Sequence, residues 1–239
     1  MSFLYRYFCQ GFDLLVGKVC PLCHEEVASQ DVCDLCLENF VRSVHICPVC
    51  ADLSLNAQVC GQCQTKRPYF TAIHASYDLT ELLRGILHTY KYQKNMQLCG
   101  MLSQLMLMKP PKFDLNQIDA VLAVPLSSER FFKRGFNQSY LLAQTIARFI
   151  ERPLLPESMI FRVKKMPQVG LKYKQRQENI KNSFVFSRKL PIKGKNILLI
   201  DDVATTGATL NELAKSLKKQ GVQHIFAWVL AKKIIKNVD

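Results

Sequence analysis

The chain has 239 residues, of which 49% are hydrophobic and 21% are charged, and it carries a formal net charge of +13. This composition provides a sizeable core and excludes a wholly disordered or collagen-like chain. The length suits one large domain or two modest domains. No apolar run reaches the roughly 18 residues of a membrane span, and the N-terminus lacks the features of a signal peptide, so a soluble protein is expected.

Charge and cysteine divide the chain at one place. Residues 1–70 hold 5 basic and 7 acidic residues, whereas residues 71–239 hold 27 basic and 12 acidic residues. Nine of the ten cysteines precede residue 64. The two shifts predict a cysteine-rich domain over residues 1–70 and a basic domain over residues 71–239.

The first domain contains an internal repeat of 27 residues. Each unit consists of two Cys-x-x-Cys pairs, and the eight cysteines are Cys20, Cys23, Cys33, Cys36, Cys47, Cys50, Cys60 and Cys63. Two such pairs can complete a closed site of four thiolates, so two structural zinc ions are predicted, with the pairing of ligands between the repeats left open. Disulfides, a redox dithiol and an iron–sulfur cluster are the alternatives; disulfides would need an export signal, and a redox motif would not occur four times.

The second domain alternates predicted strands and helices. Strands are expected at residues 71–77, 118–124, 197–200 and 223–230. Helices are expected at residues 80–92, 96–108, 138–150 and 210–220, with Leu141, Leu142, Thr145, Ile146 and Phe149 on the buried side of the third. This alternation predicts an α/β fold with a doubly wound parallel sheet, in which ligands bind at the carboxyl ends of the strands.

The strongest chemical motif follows the strand at residues 197–200. Asp201 and Asp202 come first, and a turn rich in threonine precedes the last helix; the turn residues are Ala204, Thr205, Thr206, Gly207, Ala208 and Thr209. Backbone N–H groups at a helix N-terminus suit a phosphate, and paired carboxylates suit the hydroxyls of a ribose 5-phosphate. A solvated acidic strand end is the alternative.

Two further basic segments suit anions. Arg130, Lys133 and Arg134 follow the strand at residues 118–124 and point to a second anion site. The segment between residues 161 and 182 has no clear period and carries Lys164, Lys165, Lys172, Lys174 and Arg176. Three interpretations stay open for it: a lid that closes over pyrophosphate, a track for the phosphates of single-stranded DNA, or a solvated loop.

These motifs together resemble a known family. Residues 197–209 are similar to the phosphoribosyl-diphosphate (PRPP) motif of type I phosphoribosyltransferases. The Arg134-Gly135-Phe136-Asn137-Gln138 run and the cysteine-rich segment resemble the ComF competence proteins. Ala204 departs from the motif, which usually has a larger aliphatic residue there, and no base-binding hood is recognisable.

The resemblance implies specific roles. Asp201 and Asp202 would hold the ribose hydroxyls, residues 204–209 would bind the 5-phosphate, and Arg130, Lys133 and Arg134 would meet the pyrophosphate, with Mg²⁺ carried by PRPP. It also implies a role in natural transformation, in which the protein binds imported single-stranded DNA in the cytoplasm or peripherally at the inner membrane. Its implied partners are the competence helicase ComFA and the recombination mediator DprA.

Three functions follow as hypotheses. The chain is a DNA-uptake protein with a PRPP pocket, an active transferase with an unidentified acceptor, or an adaptor whose zinc ribbons dock a helicase or mediator.

Overall fold

The computed structural model describes residues 18–27, 32–92, 98–163, 183–187 and 191–234. Its strands are β1 (Lys18–Val19), β2 (Glu26–Val27), β3 (Ala72–Asp78), β4 (Ala120–Ala123), β5 (Ile160–Arg162), β6 (Phe184–Phe186), β7 (Asn196–Ala204) and β8 (His224–Lys232). Its α-helices are α1 (Asp34–Leu37), α2 (Gly61–Thr65), α3 (Glu81–Tyr92), α4 (Leu98–Met108), α5 (Ser128–Arg134), α6 (Gln138–Phe149) and α7 (Ala208–Lys219).

Four strands form a parallel sheet in the order β3–β8–β7–β4. Alternate residues of β7 face opposite sides, and both sides are buried. Leu198 and Ile200 join a core with helices α3, α4 and α6, whereas Ile197 and Leu199 join a core with α7. A strand buried on both faces is apolar at every position, which is why Ile197–Ile200 is a continuous apolar run. The predicted doubly wound parallel α/β fold is confirmed.

The structure differs from the sequence prediction at four places. Strand β7 runs through Ala204, so Asp201 and Asp202 lie within the strand. The cations after β4 lie on helix α5, which ends at Gly135 with a φ of 82°. The expected burial of Phe149 is wrong: its side chain is 55% exposed because helix α6 turns its last residues to solvent. The strand expected at residues 118–124 is shorter, at Ala120–Ala123.

The 27-residue repeat in sequence is a repeat in structure. The N–H of Cys20 donates to the carbonyl of Glu25, and the N–H of Cys47 donates to that of Asp52, 27 residues later. His24 and Ala51, which are also 27 residues apart, both have a positive φ, of 64° and 57°. The two units therefore share one turn geometry.

The two units contact different parts of the sheet domain. Cys20, Val32 and Phe40 of the first unit pack into the core that contains helix α3, and the ring centroids of Phe40 and Tyr77 lie 5.6 Å apart. Ala51 of the second unit packs into the α7 core, and the carbonyl of Val49 accepts a hydrogen bond from Ile73 in edge strand β3. Within the described ranges, no helix is long and apolar enough to cross a membrane.

Candidate functional site

The acidic pair lies near the carboxyl end of β7, in the middle of the parallel sheet. The Ser139 hydroxyl, in the first turn of α6, donates a hydrogen bond of 2.8 Å to Asp201 Oδ1. Lys91 Nζ, in the last turn of α3, lies 2.6 Å from Asp202 Oδ2, and both side chains are largely buried. Two helices thus fix the two carboxyl groups at the strand end, where ligands of such sheets bind.

The environment of Asp201 makes its carboxyl group hard to ionise. Burial, and next the charge of Asp202, raise the pKa of Asp201 to about 7, although the hydroxyl of Ser139 and the charge of Lys91 act in the opposite direction. Two adjacent carboxyl groups in a partly dry site resist ionising together. Asp201 therefore changes its charge near neutral pH.

The turn after β7 has the backbone geometry of an anion site. Gly207 has a φ of 71° and precedes the first residue of the twelve-residue helix α7. Thr205 and Thr206 are exposed, whereas Ala204 is buried in the α7 core. The Thr206 hydroxyl accepts a hydrogen bond from the N–H of Ala208. The turn thus exposes Thr205 and Thr206 at a helix N-terminus, where the helix dipole favours an anion.

A buried lysine forms a hydrogen bond with the backbone of this turn. Lys232, at the end of β8, is 1% exposed, and its Nζ donates a hydrogen bond of 2.7 Å to the carbonyl of Thr205. The same Nζ forms an ion pair with Asp52 of the second cysteine unit. The lysine therefore joins the turn directly to the cysteine-rich region.

The three cations of the predicted second anion site lie on α5 and differ in exposure. Arg130 is exposed, whereas Arg134 is 6% exposed and donates a hydrogen bond of 3.3 Å to the Tyr92 hydroxyl. The guanidinium carbon of Arg134 and the Nζ of Lys133 lie 5.1 and 5.2 Å from the Tyr92 ring centroid. Tyr92 directly follows Lys91, which pairs with Asp202. Lys133 and Arg134 therefore lie close to Lys91.

Arg162, at the end of β5, extends this basic region. Burial, and next the charge of Arg130, lower the pKa of Arg162, whereas the charge of Asp201 raises it. The five predicted DNA-binding residues, Lys164, Lys165, Lys172, Lys174 and Arg176, lie outside the described residues.

The eight repeat cysteines form two clusters, with one unit of the repeat in each. The clusters are Cys20, Cys23, Cys33 and Cys36, and Cys47, Cys50, Cys60 and Cys63; the four sulfur atoms of each lie within 4.8 Å of one another. A tetrahedral zinc ion with bonds of about 2.3 Å places its sulfur ligands about 3.8 Å apart. The sulfur pairs Cys23–Cys33 and Cys50–Cys60 are 3.5 and 3.6 Å apart, much longer than a disulfide bond of about 2.05 Å. The geometry fits zinc and does not fit disulfides.

Backbone amides favour the thiolate form at one cysteine of each cluster. Burial raises the pKa of Cys20, but hydrogen bonds from the N–H groups of Cys33, Cys23 and Leu22 outweigh it and lower the pKa to about 6. In the second cluster the N–H groups of Val49 and Cys60 donate to Cys47 Sγ at 3.4 and 3.3 Å. A thiolate is the form that binds zinc, so each cluster has one cysteine whose environment favours the binding form, whereas burial raises the pKa of other thiols in both clusters.

Four residues of the site were missed by sequence reasoning: Ser139, Lys91, Lys232 and Arg162. Two of them carried a signal. Ser139 directly follows the Arg134–Gln138 run, and Lys232 lies two residues after the strand predicted at residues 223–230, at the end of the sheet where ligands bind. Lys91 and Arg162 had none, because only tertiary packing brings them to Asp202 and Asp201.

Comparisons with known proteins agree with this architecture. The phosphoribosyl transferase domain family model matches residues 137–239. Competence protein F of Haemophilus influenzae is 32% identical over 86% of this chain and 92% of its own length. The DNA utilization protein YhgH of Salmonella typhimurium is 29% identical over 92% of this chain and 99% of its own length.

A solved structure of adenine phosphoribosyltransferase from Thermoanaerobacter pseudethanolicus covers 59% of this chain and 83% of its own, with 16% identity and a TM-score of 0.36. With 32% identity over 86% of this chain, the match to competence protein F covers well over two thirds of both chains. The chain therefore belongs to the ComF family of competence proteins, with a phosphoribosyltransferase-type domain behind its two four-cysteine clusters.

Proposed function

We propose that the carboxyl end of β7 and the turn after it bind the ribose 5-phosphate part of PRPP. One observation carries the proposal: Asp201 and Asp202 lie in the central parallel sheet, three residues before an exposed turn that ends in a left-handed glycine and a twelve-residue helix. Carboxylates accept hydrogen bonds from the ribose hydroxyls, and the backbone N–H groups of residues 205–209 hold the 5-phosphate.

The pyrophosphate of PRPP would lie toward helix α5. Arg130, Lys133 and Arg134 supply positive charge there, and Arg162 adds a fourth cation near Asp201. The Tyr92 ring restrains Lys133 and Arg134, so less side-chain entropy is lost when an anion binds. Mg²⁺ enters with PRPP, held mainly by its phosphate oxygens and water.

The cellular role proposed for the chain is the handling of imported single-stranded DNA during natural transformation. The names of its relatives, competence protein F and DNA utilization protein, support this role, and so does the excess of basic over acidic residues in residues 71–239. The proposed partners are ComFA and DprA, at the cytoplasmic side of the inner membrane. Binding to DNA should be tolerant of sequence and should weaken steeply with salt, because phosphate contacts release counterions.

A second candidate function is a transferase that releases pyrophosphate from PRPP onto an unidentified acceptor. The placement of two carboxyl groups and several cations at one sheet edge favours it, because departure of pyrophosphate leaves positive charge on the sugar and negative charge on the leaving group. Release of pyrophosphate in the presence of cell extract, abolished in Asp202→Asn, would support this activity.

Calorimetric titration of Mg²⁺–PRPP into the zinc-loaded protein tests the pocket. We expect micromolar binding that is lost in the Asp201→Asn/Asp202→Asn double variant. Asp114→Asn is the matched control, because Asp114 is an exposed turn residue away from the sheet end. No binding by folded, zinc-replete wild-type protein would contradict the proposal.

A further inference from the structure

A cavity of about 290 Å³ lies between strand β4 and residues 155–162. Apolar side chains dominate its lining, among them Leu122, Leu155 and Ile160. Its size is at the lower end for small-molecule pockets and suits a single flat ring system rather than a longer ligand.

Three phenylalanines form the rim of this cavity. Phe131 is 44% exposed, Phe132 is 84% exposed and Phe161 is 51% exposed, and all three line the same opening. Single exposed apolar side chains are common in soluble proteins, but three large aromatic rings around one cavity form a contiguous apolar patch. Such a patch indicates a ligand with an apolar face.

One cation lines the cavity, and two more lie on the helix that carries two of the phenylalanines. Arg130 and Lys133 are exposed on the same helix as Phe131 and Phe132, and Arg162 lines the cavity itself. Aromatic faces interleaved with cations are the arrangement by which proteins bind single-stranded nucleic acid, since bases stack on the rings and phosphates pair with the cations.

One carboxylate supplies a polar group within the cavity. Glu157 lines it, and Glu157 Oε1 accepts a hydrogen bond of 2.6 Å from Asn137 Nδ2. Burial raises the pKa of Glu157, so the carboxyl group has lost part of its hydration. Among the residues that the structure describes, no cation forms a salt bridge with Glu157, so it can still accept a hydrogen bond from a ligand.

Residues at the N-terminus of helix α6 contact both the cavity and the acidic pair. Asn137 caps α6, donates a hydrogen bond to Glu157 and is 3% exposed, whereas Ser139, two residues later in the first turn, donates a hydrogen bond to Asp201. Arg162 lines the cavity and interacts electrostatically with Asp201. A ring in the cavity therefore lies next to the site proposed for the ribose.

We propose that this cavity binds one nucleobase, whose ring stacks on Phe131 or Phe161 and whose amino or ring N–H donates to the Glu157 carboxylate. The inference deepens the proposed function, because it names the class of ligand that meets the ribose phosphate site. A base of single-stranded DNA and a free nucleoside share this chemistry, and the experiment separates the two sources. A carboxylate acceptor favours a base with an exocyclic amino group, and cytosine is the pyrimidine of DNA that carries one.

The test compares two labelled single strands of equal length by fluorescence anisotropy at low salt: a deoxycytidylate oligonucleotide and the same backbone with abasic sites. The backbone charge is the same in both, so the ratio of their affinities isolates the contribution of the bases. We expect the wild-type protein to prefer the base-bearing strand by about 10-fold or more, the effect of stacking one base. Phe131→Ala and Phe161→Ala should remove most of this preference.

Matched controls separate the cavity from general effects. Phe149→Ala should keep the wild-type preference, because Phe149 is also half-exposed but lies at the end of α6 and does not line the cavity. Glu157→Gln should lower the preference for deoxycytidylate over thymidylate, whereas Glu81→Gln, an exposed residue on α3, should not. Competition by free cytidine, lost in Phe131→Ala, would identify a free nucleoside as the source of the base.

Two results would overturn the proposal. The first is that the wild-type protein binds the base-bearing and abasic strands equally, or that the Phe131→Ala, Phe161→Ala and Glu157→Gln variants all keep the wild-type preferences. The cavity then does not hold a base, and DNA would bind through charge alone. If neither strand and no nucleoside binds at about 50 mM salt, the proposed DNA role fails as well. The separate titration with Mg²⁺–PRPP would still decide the PRPP pocket.

Discussion

The two cysteine units have the same turn geometry but different positions relative to the phosphate turn. In the second unit Asp52 pairs with buried Lys232, which also bonds the carbonyl of Thr205. Glu25 is the equivalent residue 27 positions earlier, and it is exposed. The first unit instead packs on the core of α3, the helix that carries Lys91. The repeated sequence thus determines the turn geometry of each unit. The contacts with neighbouring elements determine which part of the sheet domain each unit stabilises.

Loss of a cysteine ligand should give the largest effect. Cys23→Ser and Cys50→Ser should each lower the zinc content from two ions to one per chain, because a serine hydroxyl is a poor zinc ligand. Only Cys50→Ser should also weaken Mg²⁺–PRPP binding, by about 10-fold, since Asp52 lies two residues away in the same turn. Zinc analysis and calorimetry measure the two quantities. Equal effects of both variants on PRPP binding would remove the proposed difference between the units.

The buried ion pair should give the next largest effect. Lys232→Met should lower the free energy of unfolding by about 3 kcal/mol, because it leaves the Asp52 carboxylate without its partner. Urea denaturation measures this change. Lys233→Met, the exposed neighbour, should change stability by less than about 0.5 kcal/mol.

A double-variant cycle sharpens the same point. Asp52→Asn and Lys232→Met should be less than additive when combined, since the second substitution removes a charge that has already lost its partner. Glu25→Gln combined with Lys232→Met should be additive. Additivity of the Asp52 pair would show that the contact contributes no coupling energy.

The titration of Asp201 should make the stability of the protein depend on pH, and Lys91 of α3 should set its midpoint. The folded-state pKa of Asp201 is about 7 and its ordinary value is 3.8, so the folded protein binds more protons than the unfolded chain between about pH 4 and 7. Stability should therefore fall as the pH rises through this window and level off above pH 7. Lys91→Met should move the Asp201 midpoint upward, because Lys91 lowers that pKa. Carboxyl ¹³C NMR titration measures the Asp201 midpoint in the wild-type protein and in the variant. A wild-type midpoint near 4 would contradict the account.

The smallest effect should come from Ser139→Ala. Loss of its hydrogen bond to Asp201 should cost about 1 kcal/mol of stability and raise the pKa of Asp201 further. Ser158→Ala is a matched control on the far side of the cavity, and it should leave the Asp201 titration unchanged. The same NMR titration distinguishes the two variants.

Much of this architecture could be predicted from the sequence because it depends on local patterns. The continuous apolar run at Ile197–Ile200 and the period of Leu210, Leu213 and Leu217 depend only on neighbours along the chain, and both elements are present. Cys-x-x-Cys spacing likewise gave both four-sulfur clusters.

The contacts between distant residues could not be predicted in this way. Asp52 and Lys232 are 180 positions apart, and Lys91 meets Asp202 only because α3 packs across the end of β7. The base cavity depends on Phe131, Glu157 and Phe161, which no spacing connects. Helix α5 was missed for a different reason: its seven residues are too few to show a period.

The central claim, that the turn after β7 binds the 5-phosphate of PRPP, is tested most directly by hydrogen exchange with and without Mg²⁺–PRPP. The account predicts slower exchange at the amides of residues 205–209, which are exposed or half-exposed except at Gly207, and no such change in Asp201→Asn/Asp202→Asn. Unchanged exchange in this turn, under conditions where calorimetry shows PRPP bound, would place the ligand elsewhere and contradict the account.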